Sequence, residues 1–420
     1  MFKNGGAVYL AMNSKSCILA IFAITYLGLA MGRIPGLKMN RVGIALLGAI
    51  AMMIFGGVGI GEAVSYVNWP TVCLLFGFFV ISAQLRLSGF YNLVAGGISA
   101  RLGHPARFLF ILMAATGGLS AFLNHDIVCY VFTPIVATAL LRKQLNPVPF
   151  LIALAIASNI GAAATLIGNA QDMLIGQTAH LDFGRYMAWV SVPVLFAMAC
   201  AYGIIWGLSK NRLHLAQPAA SGESERGREF NRAHTIKGLV ILVAVVGLFF
   251  SSLPAEIIAL AAAGIHLASP KFRTEELLGL VDWPILVLFI GLFVVTGAFV
   301  STGYGAQAVQ WLAQAGFDVN RPVNLTLATT VLSNVINNSP TVMLLLKVVD
   351  VSTPTLAYIL ALANSFAGSL LMIGSVANII TVQVARDMGI KIGFWDFARL
   401  GVPVTIVSLG GVLVWVKIMG

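Results

Sequence analysis

Long apolar runs follow one another from one end of this 420-residue chain to the other, and four of them are interrupted by short polar clusters. An apolar run of about 20 residues is long enough to cross a membrane as a helix. A backbone break inside such a run leaves peptide groups without partners, at several kcal/mol each, so it is tolerated only where protein or water covers it. The breaks therefore indicate a membrane protein that encloses a polar site.

The composition excludes a soluble protein, because 59% of the residues are hydrophobic and only 10% are charged. No alternating segments of about ten residues occur, so the pattern favours helices over an outer-membrane barrel. The four cysteines lie in apolar segments and predict neither a disulfide framework nor a metal site. The net charge of +10 does not indicate nucleic-acid binding, because most of the basic residues fall on one predicted side of the membrane.

We predict an all-α polytopic membrane protein with about ten transmembrane helices. Two of the predicted spans are broken helices, and two further segments are predicted to be re-entrant hairpins. The spans cover about 16–32, 41–60, 70–87, 147–181 (broken), 187–208, 236–252, 254–269, 283–301, 354–385 (broken) and 399–417, and the hairpins cover about 106–141 and 322–349.

The two halves of the chain repeat each other. The Asn-Trp-Pro at 68–70 recurs as Asp-Trp-Pro at 282–284, and the Ile-Gly at 167–168 recurs at 373–374. Each half holds five spans, an odd number, so the second copy enters the membrane from the opposite face. Inverted repeats of this kind, with broken helices near the midplane, are typical of alternating-access transporters.

The predicted domains are a first inverted repeat at 1–208, a linker at 209–237 and a second inverted repeat at 238–420. The linker is rich in Gly, Ser and both charge signs and reads as flexible. The positive-inside rule places it in the cytoplasm and both termini outside. Residues 1–13 lack the features of a cleavable signal peptide, so we expect a multi-pass protein of the cell's inner (plasma) membrane.

The side chains at the hairpin tips and helix breaks are amides, hydroxyls, carboxylates and one imidazole, with no Lys or Arg among them. Helix ends add N–H donors and carbonyl acceptors. This set suits a neutral polyhydroxylated solute or a small cation better than a di- or tricarboxylate. The predicted substrate-binding residues are Asn124, His125, Asn169, Asn337, Asn338, Ser339, Ser375 and Asn378.

Asp126 and Asp172 are the predicted proton-coupling residues, because an intramembrane carboxylate is costly and by default functional. The alternative for Asp126 is helix capping. His125 is a further coupling candidate, because imidazole is the side chain that most often acts as a proton switch, although a histidine at a tip can equally serve as a hydrogen-bonding group.

Two glycines and one cysteine complete the candidate set. Gly168 and Gly374 are predicted to permit the backbone breaks, since glycine tolerates unusual dihedral angles. Cys129 lies one helical turn from the first tip and is a candidate thiol contact, with plain packing as the alternative.

Four segments resemble the ion transporter superfamily, and the resemblance covers nearly the whole chain. Within the superfamily the chain is most similar to the arsenical pump membrane permeases. The segments are FLNHDIVCYVFTPIV (Phe122 to Val136), ASNIGAAATLIGNAQDMLIG (Ala157 to Gly176), SNVINNSPTVMLLL (Ser333 to Leu346) and NSFAGSLLMIGSVANI (Asn364 to Ile379).

The resemblance implies export of trivalent arsenic or antimony as the neutral trihydroxide, in exchange for protons. It also implies that a separate cytosolic arsenite-stimulated ATPase subunit sometimes assists. The tips read Asn-His-Asp and Asn-Asn-Ser and lack the Ser-Asn-Thr signature of the dicarboxylate symporters, which disfavours a carboxylate substrate.

Other functions stay open at this point. A sodium/proton antiporter would use Asp126 and Asp172 as a shared cation and proton site. An anion or carboxylate transporter would need helix dipoles and bound sodium. An enzyme is not expected, because the pair of His125 and Asp126 has no accompanying nucleophile or metal-ligand spacing. A passive channel would lack coupling to a proton gradient.

We expect no cofactor beyond the proton gradient, with sodium in the antiporter alternative, and no bound metal. The expected partners are a small inorganic solute and membrane lipid, with a homodimer left open.

Overall fold

The computed structural model describes residues 14–32, 39–212, 230–268 and 271–419. Within these ranges all regular secondary structure is helical, which confirms the predicted fold class of an all-α polytopic membrane protein. Most of the predicted linker, at 213–229, lies outside the described residues.

The described part of the first half contains ten α-helices and a short 3-10 turn. In chain order they are α1 (Ser14–Met31), α2 (Arg41–Ile54), α3 (Ile60–Tyr66), α4 (Trp69–Leu87), α5 (Phe90–Ser99), α6 (Pro105–Phe122), α7 (His125–Arg142), α8 (Val148–Ala162), α9 (Ala170–Thr178) and α10 (Phe183–Ser209), followed by the turn at Lys210–Arg212.

The described part of the second half repeats this order. Its helices are α11 (Arg232–Leu248), α12 (Ala255–Leu267), α13 (Thr274–Leu278), α14 (Trp283–Ser301), α15 (Tyr304–Gln314), α16 (Pro322–Ile336), α17 (Asn338–Leu345), α18 (Pro354–Ala367), α19 (Val376–Asp387) and α20 (Phe394–Met419).

Equivalent helices begin and end with the same local chemistry. The side chain of Asn68 accepts a hydrogen bond from an amide in the first turn of α4, and Asp282 does the same for α14. Both helices are followed by a left-handed glycine, Gly89 at φ 77° and Gly303 at φ 83°, before a short helix. The repeated sequence markers therefore specify repeated local structure.

Six of the described helices, α4, α6, α7, α10, α14 and α20, are long and apolar enough to cross a membrane. Both arms of the first predicted hairpin, α6 and α7, are among them. The two predicted broken spans appear as pairs of shorter helices, α8 with α9 and α18 with α19.

Small residues bring the helices into close contact at matched points. A Cβ on Gly77 would overlap the backbone of Ala259, and a Cβ on Gly291 would lie 3.0 Å from the backbone of Ala45. α4 thus packs on α12 as α14 packs on α2, in the manner of small-residue contacts between membrane helices. The α2–α14 pair forms one wall of the site described next.

Candidate functional site

The hairpin tips are shaped by asparagine caps. Asn124 Oδ1 accepts hydrogen bonds from the backbone N–H groups of Asp126 at 2.8 Å and Ile127 at 3.4 Å, which starts α7. Asn337 has a φ of 79°, and its Oδ1 accepts from the N–H of Asn338 at 2.8 Å, which starts α17. A positive φ is uncommon outside glycine, and Asn is among the residues that adopt it most often. Each tip therefore turns sharply and presents a helix N-terminus to the same region.

The helix breaks depend on close backbone approach. A Cβ on Gly168 would overlap the carbonyl oxygens of Ala162 and Ser120. A Cβ on Gly374 would lie 2.7 Å from Oδ1 of Asn334. Only glycine fits at either position without displacement of neighbouring atoms.

Asn159, in the last turn of α8, contacts the second break. Its Nδ2 donates to Oδ1 of Asn378 at 2.9 Å, and its Oδ1 accepts from the hydroxyl of Ser375 at 2.9 Å. Asn378 Nδ2 in turn donates to the carbonyl of Gly368 at 2.7 Å. The first broken helix thus bonds to two side chains of the second break, and one of these, Asn378, satisfies a peptide carbonyl of its own half.

Ser365, in α18, contacts the first break in return. Asn169 Nδ2 donates to Ser365 Oγ at 3.1 Å and to Asp172 Oδ2 at 2.6 Å, and the Ser365 hydroxyl lies 3.4 Å from the same carboxylate oxygen. Ser365 follows Asn159 at the separation found between Gly168 and Gly374. The two breaks are therefore held by reciprocal hydrogen bonds from equivalent positions.

A cavity of about 460 Å³ lies where the tips and breaks meet, and we call it the Asn124 cavity. α2 and α14 form its opposite wall. The polar residues that line it from the tips and breaks are Asn124, His125, Asp126, Gln171, Asn337, Asn338, Ser339 and Ser375.

Several buried polar atoms at this cavity have no hydrogen-bond partner among the described residues. They include Asp126 Oδ1, His125 Nδ1, Asn337 Nδ2 and Asn338 Oδ1, on residues that are 8% exposed or less. The His125 Nε2 lies 3.5 Å from Asp126 Oδ1. Since buried polar groups are normally hydrogen-bonded, unpaired donors and acceptors around one cavity indicate a place for a polar solute.

The two hairpin tips differ in their contacts at the Asn124 cavity. Within the described residues, the second tip is hydrogen-bonded to a helix break, whereas Asp126 of the first tip is not. Gln171 Nε2 donates to Ser339 Oγ at 2.7 Å and joins the first break to the second tip. By the repeat, Asp126 is equivalent to Ser339, and Ala377 is equivalent to Gln171. The side chain of alanine has no hydrogen-bond donor, so Ala377 makes no equivalent bond to the Asp126 carboxylate.

The other predicted site residues lie behind the cavity wall. Asp172, Asn378 and Cys129 are fully buried, and neither they nor Asn169 line the Asn124 cavity. Proton coupling at Asp172 and a thiol contact at Cys129 stay predictions. Within the described residues, no group of three or more His, Cys, Asp and Glu could hold a metal ion.

Sequence reasoning missed Asn159 and Ser365, which sit inside apolar spans. Adjacent polar pairs, Ser158 with Asn159 and Asn364 with Ser365, were the available signal, because each precedes a break by about two to three helical turns. Ser158 shares a 2.6 Å hydrogen bond with Ser120 of the first hairpin.

Two charged residues of the opposite wall were also missed as site residues. Arg41 begins α2 and Asp282 precedes α14, and both line the Asn124 cavity. Burial raises the pKa of Asp282 to about 6, and the carboxylate of Asp126 acts in the same direction. Asp282 and Asp126 therefore line the same cavity from its two sides.

A comparison with protein families matches residues 26–358 to the citrate transporter family. An uncharacterized transporter of Mycobacterium tuberculosis (strain CDC 1551 / Oshkosh) is 29% identical over 95% of this chain and 99% of its own length. The silicon efflux transporter LSI3 of Oryza sativa subsp. japonica is 25% identical over 92% of this chain and 94% of its own length.

The fold is similar to a solved structure. The YdaH transporter of Alcanivorax borkumensis superimposes with a TM-score of 0.59 at 14% identity, over 96% of this chain and 98% of that one. At this identity the likeness concerns the fold alone.

Proposed function

This chain belongs to the citrate transporter family, so it is a secondary transporter and not an enzyme, and we propose that it exports arsenite or antimonite as the neutral trihydroxide in exchange for protons. Transport would proceed by alternating access, with the hairpins and broken helices carrying the solute past the remaining helices. We place the protein in the plasma membrane with the linker in the cytoplasm, and a cytosolic ATPase subunit remains a proposed accessory.

The observation that carries this proposal is the mixture of unpaired atoms at the Asn124 cavity. Asn337 Nδ2 is a donor, whereas Asn338 Oδ1 and Asp126 Oδ1 are acceptors. A trihydroxide both donates and accepts hydrogen bonds through each O–H group, so it can satisfy all three atoms without bringing a net charge into the membrane.

The relative with a named solute supports export of a small hydroxide. The rice protein is described as a silicon efflux transporter, and dissolved silicon at neutral pH is also an uncharged hydroxide. A cavity of about 460 Å³ is ample for either solute.

We assign proton coupling to Asp126. Its unpaired oxygen faces the cavity, so the same carboxylate can accept a hydrogen bond from the solute or take up a proton. Protonation replaces an acceptor lone pair with a donor and weakens solute binding, which makes the two ligands compete. Competition of this kind is what an exchanger requires.

The second candidate function is transport of a carboxylate anion. It is favoured by the family description and by Arg41, whose guanidinium group stands on the cavity wall and can offset negative charge. Arg41 Nε donates at 3.4 Å to the carbonyl of Leu29, which leaves its other donors available to a ligand.

Uptake into everted membrane vesicles separates the candidates. With an imposed pH gradient, we expect arsenite accumulation by the unmodified chain and at least a roughly tenfold loss in Asn124→Ala, because the tip loses its cap. Excess silicic acid should compete and citrate should not.

Citrate accumulation that is lost in Arg41→Gln would replace the trihydroxide with a carboxylate. Sodium-dependent pH changes without arsenite uptake would instead favour a sodium/proton antiporter.

A further inference from the structure

A second cavity, of about 680 Å³, is built from the positions that are equivalent to the wall of the Asn124 cavity, and we call it the Glu256 cavity. Asn68 and Pro70 of the first half line it, as Asp282 and Pro284 line the Asn124 cavity. The match extends to α12 and α9. Ala255, Glu256 and Gln177 line the Glu256 cavity where Arg41, Val42 and Gln383 line the Asn124 cavity.

The equivalence rests on packing as well as on sequence. Gly77 contacts Ala259 in the way that Gly291 contacts Ala45, which fixes the register of α12 on α4 to that of α2 on α14. Glu256 therefore stands at the position of Val42. The two cavities are the same structural feature in the two halves of the chain.

The two cavities differ in whether residues of the hairpin tips line them. The Asn124 cavity includes both hairpin tips, whereas the Glu256 cavity ends at Leu166 and Ile167, just before the break at Gly168, and no tip residue lines it. The site is thus connected to one cavity and separated from its equivalent.

One hydrogen bond exists in the separated cavity and has no counterpart in the connected one. Gln177 Nε2 of α9 donates at 3.3 Å to Oε2 of Glu256 on α12, and both side chains are half-buried. The equivalent Gln383 has no such bond among the described residues, because Val42 offers no acceptor side chain.

We infer that Gln177 and Glu256 form a latch that holds the carrier with its site open to the Asn124 cavity, and that the Glu256 cavity is the second mouth of the transport pathway. The latch joins α9, the second piece of the first broken helix, which moves in alternating access, to α12, which packs on α4. A bond made in only one of two states shifts the population towards that state. This inference rests on the proposed alternating access but not on the identity of the solute.

Labelling of a single cysteine tests the latch without any solute. Cys17, Cys73, Cys129 and Cys200 are replaced by alanine, and Ala170→Cys, on the cavity side of the first break, is the reporter. A charged, membrane-impermeant maleimide is applied to sealed vesicles of each orientation. In the background chain we expect labelling from one face only.

Adding Gln177→Leu should raise the rate of labelling from the other face by roughly fivefold or more, because the latched state loses a hydrogen bond to a charged group. Glu256→Gln keeps the size of the side chain and should give a smaller rise in the same direction. The matched control is Gln383→Leu, at the equivalent position without a bond, which should leave labelling from that face unchanged.

Three results would overturn the inference. They are equal labelling from both faces in the background chain, no rise in either latch variant while both elute as the background chain does in size-exclusion chromatography, and an equal rise in Gln383→Leu. Failure of arsenite transport would leave all of these readouts intact, so the latch and the proposed solute are tested separately.

Discussion

Asn159 donates a hydrogen bond from Nδ2 to Oδ1 of Asn378 at 2.9 Å, across 219 residues of sequence. This bond and its equivalent, between Ser365 and Asp172, tie the two broken helices to each other. The polar groups at each break are therefore hydrogen-bonded by side chains from the other half of the chain, so neither half forms the site alone.

Replacing Asn159 with leucine should damage both breaks. Asn378 Oδ1 and Ser375 Oγ would lose their partner, and a buried unsatisfied polar group costs about 1–3 kcal/mol. We expect a lower apparent melting temperature in detergent and a loss of transport. Ser191→Ala is the control, because that hydroxyl bonds only to the carbonyl of Ala188 in its own helix. An unchanged melting temperature for Asn159→Leu would show that the reciprocal bonds do not hold the breaks together.

The two intramembrane acids should behave differently when each is changed to asparagine. Asp126 faces the cavity, so Asp126→Asn should keep the fold and abolish uphill transport driven by a pH gradient. Asp172 accepts hydrogen bonds inside the wall, so Asp172→Asn should retain proton dependence. Measuring solute flux against pH in vesicles distinguishes them. Loss of proton dependence in Asp172→Asn alone would transfer the coupling role to Asp172.

Gly168→Ala should destabilise the protein. Its Cβ would overlap the carbonyl oxygens of Ala162 and Ser120, and overpacking of this kind costs about 1–3 kcal/mol. Gly118→Ala is the matched control in α6, where no atom lies within 4 Å of the new Cβ, and it should be neutral or slightly stabilising. Thermal unfolding of the two variants in the same detergent is the measurement. Equal melting temperatures would mean that the backbone around Gly168 shifts to accommodate the added methyl group without loss of stability.

Asp282→Asn should stabilise the protein at neutral pH. The pKa of Asp282 is raised to about 6 in the fold, so stability is highest below the unfolded-state pKa and is lost as pH rises through about 6. An asparagine at position 282 removes the cost of burying a charged carboxylate. Its side chain can still cap α14, as the side chain of Asn68 caps α4. We expect a gain of roughly 1 kcal/mol at pH 7.5, reduced by solvent screening, and little change at pH 4. The reverse pH pattern in melting temperature would contradict this.

The helices and the breaks between them follow from local sequence alone. Runs of apolar residues specify spans, and Asn124, Asn169 and Asn337 specify helix starts, because hydropathy and capping act over only a few residues. The repeat of these markers also indicated that the halves share one arrangement of helices.

Which polar side chains face the cavity depends on the tertiary structure. Asp126 and Asp172 have similar local sequence contexts, each in the first turn of a helix, yet one lines the cavity and the other is enclosed. Arg41 and Asp282 reach the site from helices far away in the chain. Whether a side chain faces a cavity depends on how helices that are distant in sequence pack together. A local sequence pattern does not specify that packing.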